Sequence, residues 1–78
     1  MSYTVGELKI AAYNRQEPQN MTVQERNLYI GLSYCYDWFK SNPDDKADCE
    51  ELMRNYIQFF ENHQLRELSR RRESVSNI

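Results

Sequence analysis

Hydrophobic residues recur at helical spacing in three separate segments of the chain. In the third segment, residues 43–61, they fall within one arc of about 160° on a helical wheel, and polar residues fill the opposite side. The apolar positions of this arc are Cys49, Leu52, Met53, Tyr56, Ile57, Phe59 and Phe60. The pattern predicts an amphipathic helix that packs these side chains, both phenylalanines included, against one neighbouring body.

The second segment, residues 23–40, is apolar almost all round. Two stripes run along it, one at the spacing i, i+4, i+7, i+11 and the other at i, i+4, i+8. The first stripe is Leu28, Leu32, Cys35 and Phe39, the second is Ile30, Tyr34 and Trp38, and Tyr29 and Tyr36 flank the first. Together they cover about 260° of the wheel, and a helix of this kind is buried on several sides. We expect the third helix to cover one side, and the first helix, a second subunit or another partner to cover the rest.

Two capping boxes mark where helices begin. Thr4 and Glu7 have the S/T-x-x-E spacing in which each side chain bonds the other residue's backbone N–H, and Thr22 and Glu25 repeat it. They predict a first helix over residues 5–14 and the start of the second helix at residue 23. The polar residues between the two helices form a linker.

A single Asn-Pro pair separates the second helix from the third. Asn42 precedes Pro43, so it is kept out of the helical region and ends one helix, while Pro43 fits the first position of the next. The short loop and the similar helix lengths predict an antiparallel hairpin. The fold class is therefore all-α: a helical hairpin plus a shorter N-terminal helix, as a small three-helix bundle. We assign residues 1–64 to one domain and residues 65–78 to a flexible basic C-terminal tail.

The helical phase breaks after the third segment. Continuing the same wheel would place Glu67 and Arg71 at the centre of the apolar face. Either the helix ends near residues 62–64, or it projects past the body. Leu65, Leu68 and Val75 keep a heptad-like spacing of their own, which leaves a short amphipathic extension open.

Composition narrows the class of protein. The 78 residues are 40% hydrophobic and 28% charged, with a formal net charge of −2, which suits one small domain. No run of about 18 apolar residues could span a membrane, and no secretory signal pattern is visible. Two cysteines in such a chain favour a reduced, cytoplasmic setting, with Cys35 and Cys49 as buried thiols or as a redox-linked disulfide.

The candidate chemistry is sparse. His63 has no nucleophile or carboxylate partner at a motif spacing. The acidic run over residues 44–51 lacks the glycine and the ligand spacing of a calcium-binding loop. We therefore expect a non-enzymatic protein without a cofactor or a metal site.

Aromatic residues give the strongest indication of a partner. Ten of the 78 residues are aromatic: six tyrosines, three phenylalanines and one tryptophan. Tyrosine and tryptophan are enriched where protein surfaces meet, because each combines an apolar body with a polar group. The residues that exceed the needs of a hairpin core are Tyr29, Tyr34, Tyr36 and Trp38. We predict that they bind a protein partner, with a homodimer as the leading form; the alternative is that the first helix and the linker cover them.

The basic residues of the last segment form a cluster. It consists of Arg66, Arg70, Arg71 and Arg72. Residues 66–78 carry four basic and two acidic groups, a charge of +2, whereas residues 1–65 carry six basic and ten acidic groups, a charge of −4. A second hypothesis is a nucleic-acid-binding accessory protein that uses these arginines; the plain interpretation is a solubilising tail.

The central part of the chain resembles a group of small proteins. The stretch Leu28-Tyr29-Ile30-Gly31-Leu32-Ser33-Tyr34-Cys35-Tyr36-Asp37-Trp38-Phe39-Lys40, followed by Ser41-Asn42-Pro43-Asp44-Asp45-Lys46, is similar in pattern to small uncharacterised helical proteins of phages and mobile elements in Gram-positive bacteria. The similarity covers residues 22–62. It implies no catalytic residues, and it implies a protein that binds and redirects or blocks a host protein.

Overall fold

Helices account for nearly all of the structure, which is a computed structural model. It describes the backbone of residues 3–76 and the side chains of residues 3–70. Within this range the elements are α1 (Val5–Asn14), α2 (Val23–Ser41), a short 3-10 turn (Pro43–Asp45) and α3 (Lys46–Ser76), without a strand. The all-α prediction of a hairpin preceded by a shorter helix is confirmed.

Both predicted capping boxes are formed. The Thr4 hydroxyl accepts a hydrogen bond from the Glu7 backbone N–H at 3.1 Å, and the Glu7 carboxylate accepts one from the Thr4 N–H at 2.9 Å. Thr22 and Glu25 make the same pair of bonds at 3.1 and 2.8 Å. Because these bonds satisfy donors that a helix start leaves open, both helices begin where the spacing predicts. The first helix also ends as predicted, at Asn14.

Helix α2 lies at the centre of the molecule. It packs extensively against both α1 and α3. The core contains Leu8 and Ala12 from α1, Leu28, Tyr29 and Leu32 from α2, and Phe60 from α3. The wide apolar arc of α2 is therefore explained in large part by two intramolecular neighbours, one on each side.

Helix α3 does not end near residue 61. It continues through the arginine cluster to Ser76, so the predicted C-terminal tail is a helical extension over most of its length. Neither glycine nor proline interrupts it, and Glu67 lies 3.9 Å from the His63 imidazole and 3.6 Å from the Arg70 guanidinium, one turn away on either side. Such contacts and good helix-forming residues sustain a helix even where the apolar phase is lost.

The length of α3 leaves part of it without a neighbour. It has 31 residues against 19 in α2, so it outruns its antiparallel partner by about 18 Å at ~1.5 Å per residue. The molecule is correspondingly elongated, with extents of 54 × 25 × 15 Å. Over residues 3–76, no helix is both long enough and apolar enough to cross a membrane.

Candidate interaction surface

Two of the four predicted partner-binding aromatics are covered by α1. Tyr29 is only 9% exposed and belongs to the core. Tyr36 is half-buried and meets the Tyr13 ring edge to face, with ring centroids 5.3 Å apart and planes at 88°. Burial, followed by the nearby Cys35 and Tyr13, raises the pKa of the Tyr36 hydroxyl. These two tyrosines therefore hold α1 against α2.

Trp38 is hydrogen-bonded to the turn between the long helices. Its side chain is half-buried, and its indole N–H donates to the Asp45 carboxylate at 3.0 Å. Asp45 belongs to the acidic run over residues 44–51. The hydrogen bond ties the end of α2 to the 3-10 turn that precedes α3.

Tyr34 remains at the surface. It is 61% exposed, and its neighbour one turn earlier, Ile30, is 57% exposed. They lie on the side of α2 that faces neither α1 nor α3. Of the four aromatics expected at a partner surface, Tyr34 is the one that the structure leaves open.

Helix α3 adds two aromatic residues to this region. A Cβ placed on Gly31 would lie 2.8 Å from the Tyr56 Cδ1 atom, so the Tyr56 ring lies directly on the α2 backbone. Beyond it, Phe59 is 75% exposed. Since Gly31 lies next to Ile30 and one turn before Tyr34, the Tyr56 ring links the two helices into one surface. We call Ile30, Tyr34, Tyr56 and Phe59 the outer aromatic face.

The placement of Phe59 corrects the expectation that it packs in the hairpin core. The apolar arc of α3 is wider than the strip that the core covers, and the α3 side chains that pack in or against the core are Met53, Ile57 and Phe60. The edge of the arc is therefore left open at Phe59. The sequence holds a signal for this outcome, since Phe59 is flanked one turn away on both sides by Asn55 and Asn62.

The outer aromatic face has the area of a main apolar patch on a monomeric protein. The exposed parts of its four side chains amount to roughly 450 Å², from the surface of such residues and their exposed fractions. The largest apolar patch on a typical monomer measures about 300–600 Å² and is often functional. The face therefore qualifies as a site for a partner.

A smaller exposed apolar area on α1 is partly covered by Lys40 of the same chain. Ile10 is 65% exposed and Tyr13 is 50% exposed. The Lys40 ammonium lies 4.3 Å from the centre of the Tyr13 ring and donates to the Tyr13 carbonyl at 2.8 Å. This cation–π contact leaves Ile10 as the unpartnered residue of the area.

A groove opens between the start of α2 and the projecting part of α3. It is lined by Glu25 from α2 and by Phe60, His63, Glu67 and Leu68 from α3. Burial alone would raise the pKa of the Glu25 carboxyl, but hydrogen bonds from backbone N–H groups lower it overall. The carboxylate is thus held in its charged form by structural contacts.

Both cysteines are buried free thiols. Cys35 is 0% exposed and Cys49 is 1% exposed, on the facing sides of α2 and α3. Burial raises the pKa of both thiols; the Cys49 thiol is also affected by the charges of Asp45 and Asp48. Neither thiol is therefore poised as a nucleophile.

The described part of the chain offers little for metal or phosphate. No group of three His, Cys, Asp or Glu residues among the described positions could hold a metal ion. Arg66 and Arg70 are exposed on the projecting part of α3. The side chains of Arg71 and Arg72 lie outside the described residues.

Comparison with known proteins finds no significant match among family models, curated proteins or solved structures. The resemblance to small helical proteins of phages and mobile elements stays a prediction.

Proposed function

We propose that this chain is a small non-enzymatic protein-binding module that self-associates through the outer aromatic face. The observation that supports this function is the exposure of Phe59 and Tyr34, at 75% and 61%, on either side of the Tyr56 ring. Aromatic side chains contribute most when a partner removes them from water, and they are the residues that concentrate at the centres of interfaces.

The size of the face fits a dimer. A standard protein interface buries about 800 Å² on each partner, with an apolar centre and a polar rim. The four residues supply roughly half of that area as the centre. Asn27 and Asn55, both exposed, lie beside it and supply uncharged polar rim positions.

A second copy also meets a need of the fold. A domain of this length buries only about 60% of the surface of its unfolded chain, so its own core leaves little stability to spare. Beyond the groove that it forms with the start of α2, the projecting part of α3 runs past its antiparallel partner, and isolated helical turns are marginal in water. A symmetric partner would cover the aromatic face and support this helix at the same time.

The test is the molecular mass in solution, measured by sedimentation equilibrium over a range of concentrations. We expect a dimer for the wild type and a monomer for Phe59→Lys and Tyr34→Lys, because a buried unpaired ammonium opposes association. Ile10→Lys is the matched control, since Ile10 is 65% exposed on α1 and its variant should stay dimeric. A monomeric wild type, or a dimer that both surface variants retain, would refute the proposal.

The nucleic-acid alternative depends on the arginine cluster, and the observation that bears on it is the exposure of Arg66 and Arg70. Arg70 already has Glu67 as an ion-pair partner at 3.6 Å, and the whole chain carries a net charge of −2. A titration of labelled single-stranded and double-stranded DNA at two salt concentrations separates the two functions. Salt-sensitive binding that is lost in an Arg66→Glu, Arg70→Glu variant would favour the alternative.

A further inference from the structure

One face of α3 carries an acidic and a basic side chain at equal distances on either side of a central aromatic residue. On a wheel of 100° per residue, six of the α3 side chains that the structure describes, spaced three, four or seven residues apart, fall within an arc of about 60°. They are Asp48, Leu52, Asn55, Phe59, Arg66 and Arg70. We call them the α3 stripe. All are exposed except Leu52, which is half-buried.

Phe59 lies at the midpoint of the α3 stripe. Asp48 precedes it by eleven residues and Arg70 follows it by eleven, so each charge lies about 16 Å along the helix from the ring. The most exposed aromatic side chain of the molecule is thus flanked at equal distances by an acid and a base. Rotation by 180° about an axis through Phe59 exchanges the two charged positions.

We propose that the occupant of the outer aromatic face is a second copy of this chain, packed with its α3 antiparallel along the α3 stripe. The inference rests on the proposed self-association and adds its geometry. Phe59 of each chain meets Phe59 of the partner subunit at the two-fold axis. Asp48 lies opposite Arg70 of the partner subunit, and the pair occurs twice by symmetry.

Charge selects this orientation over the parallel one. A parallel pair would place Asp48 against Asp48 of the partner subunit and Arg70 against Arg70 of the partner subunit, and both contacts repel. The rest of each end has the same sign, since residues 44–51 hold five acids and one lysine, whereas residues 66–78 carry +2. Only the antiparallel arrangement brings opposite ends together.

The same arrangement accounts for the apolar position next to the charged ends. Leu52 lies seven residues before Phe59, and Arg66 lies seven residues after it. In the antiparallel pair Leu52 faces Arg66 of the partner subunit, whose aliphatic stem can cover the leucine while the guanidinium stays in water. The projecting part of one α3 then lies along the first turns of the other, which gives the extension a neighbour.

Charge reversal tests the geometry in the full chain. Asp48→Arg alone and Arg70→Glu alone each turn two attractive contacts into two repulsive ones, and each should weaken dimerisation about tenfold. The double variant D48R/R70E restores opposite charges across the axis and should dimerise like the wild type. An equimolar mixture of the two single variants should form a heterodimer, because both of its pairs are then attractive.

Matched controls lie on the opposite side of α3. Glu61→Arg and Arg54→Glu make the same charge changes at exposed positions about 100° or more away from the α3 stripe on the wheel, and both should leave the dimer unchanged. Circular dichroism of each variant checks the fold. The double variant carries both substitutions, so any loss of helix stability that they cause is present in it as well. Its recovery therefore reports the charges across the two-fold axis and not the stability of the helix.

The outcomes separate this inference from the proposed function. The antiparallel geometry would be overturned by single variants that dimerise like the wild type, or by a double variant that dimerises weakly. In either case the proposed function would stand if Phe59→Lys still disrupts the dimer. A wild-type monomer would overturn both. Loss in each single variant with recovery in the double variant supports the antiparallel pair.

Discussion

The backbone N–H of Tyr3 donates a hydrogen bond to the Glu25 carboxylate at 2.5 Å, across 22 residues of sequence. The other oxygen of the same carboxylate accepts from the Thr22 N–H at 2.8 Å, as part of the capping box of α2. Glu25 is 2% exposed, and both bonds are partly buried. One side chain thus caps α2 and fastens the segment that leads into α1.

Removal of the Glu25 carboxylate should destabilise the fold. Glu25→Ala leaves the N–H groups of Tyr3 and Thr22, whose bonds to Glu25 are both partly buried, without their acceptor, and we expect a loss of about 2 kcal/mol. Urea unfolding monitored by circular dichroism measures it. Glu7→Ala is the matched control, because Glu7 occupies the same position in the exposed capping box of α1 and should cost about 1 kcal/mol or less. Equal losses in the two variants would contradict a special role for Glu25.

The same carboxylate should make stability depend on pH in acid. Its pKa is lowered in the folded protein, so the stability it contributes is complete above the ordinary carboxyl value of 4.5 and is lost as pH falls through the folded value. We expect the free energy of unfolding to fall more steeply below pH 4.5 in the wild type than in Glu25→Gln. Glu7→Gln, in which Glu25 is unchanged, should keep the steep loss. Parallel curves for the wild type and Glu25→Gln would count against this assignment.

The contact between Gly31 and Tyr56 predicts that the effect of Gly31→Ala on stability changes sign when the Tyr56 ring is removed. Gly31→Ala places a Cβ 2.8–2.9 Å from three atoms of the Tyr56 ring, including Cγ near the backbone, so the ring must shift and the protein should lose about 1–2 kcal/mol. In a Tyr56→Ala background the obstacle is gone. Gly31→Ala should then stabilise the protein by about 1 kcal/mol, the helix-propensity difference between the two residues. A stabilising effect in both backgrounds would show that the ring moves freely.

Cross-linking at the ends of the α3 stripe should report the orientation of the dimer directly. In the antiparallel pair, position 48 of one chain lies opposite position 70 of the other, so thiols placed at these positions face each other, as a disulfide requires. Under mild oxidation a mixture of Asp48→Cys and Arg70→Cys chains should form a disulfide-linked heterodimer, visible on a non-reducing gel. Each variant alone should remain unlinked, and because the native thiols are buried they do not interfere. Homodimer bands from the single variants would indicate a parallel pair instead.

The sequence predicts this fold well where the determinants are local. The two capping boxes place the starts of α1 and α2, and Pro43 places the break before α3, because each depends on residues within one turn. The end of α3 is different. The apolar phase is lost near residue 61, but helix continuation depends on propensity and on contacts such as those of Glu67, which a pattern of burial does not capture.

The candidate site could be predicted only in part. The wide apolar arc of α2 indicates that several neighbours are needed, but the side taken by α1 decides that Tyr29 and Tyr36 are covered and Tyr34 is not. That choice depends on long-range packing. The exposure of Phe59 follows from the same choice, as does the buried position of Glu25, whose bond to Tyr3 joins residues far apart in sequence.

The two buried thiols allow the opening of the hairpin to be measured. Cys35 and Cys49 lie in the seam between α2 and α3 at 0% and 1% exposure, so a thiol reagent reaches them only when the seam separates. The rate at which a reagent labels these native thiols therefore reports how often the hairpin opens, and no residue has to be introduced by mutation. A partner that closes over the outer aromatic face should slow that rate.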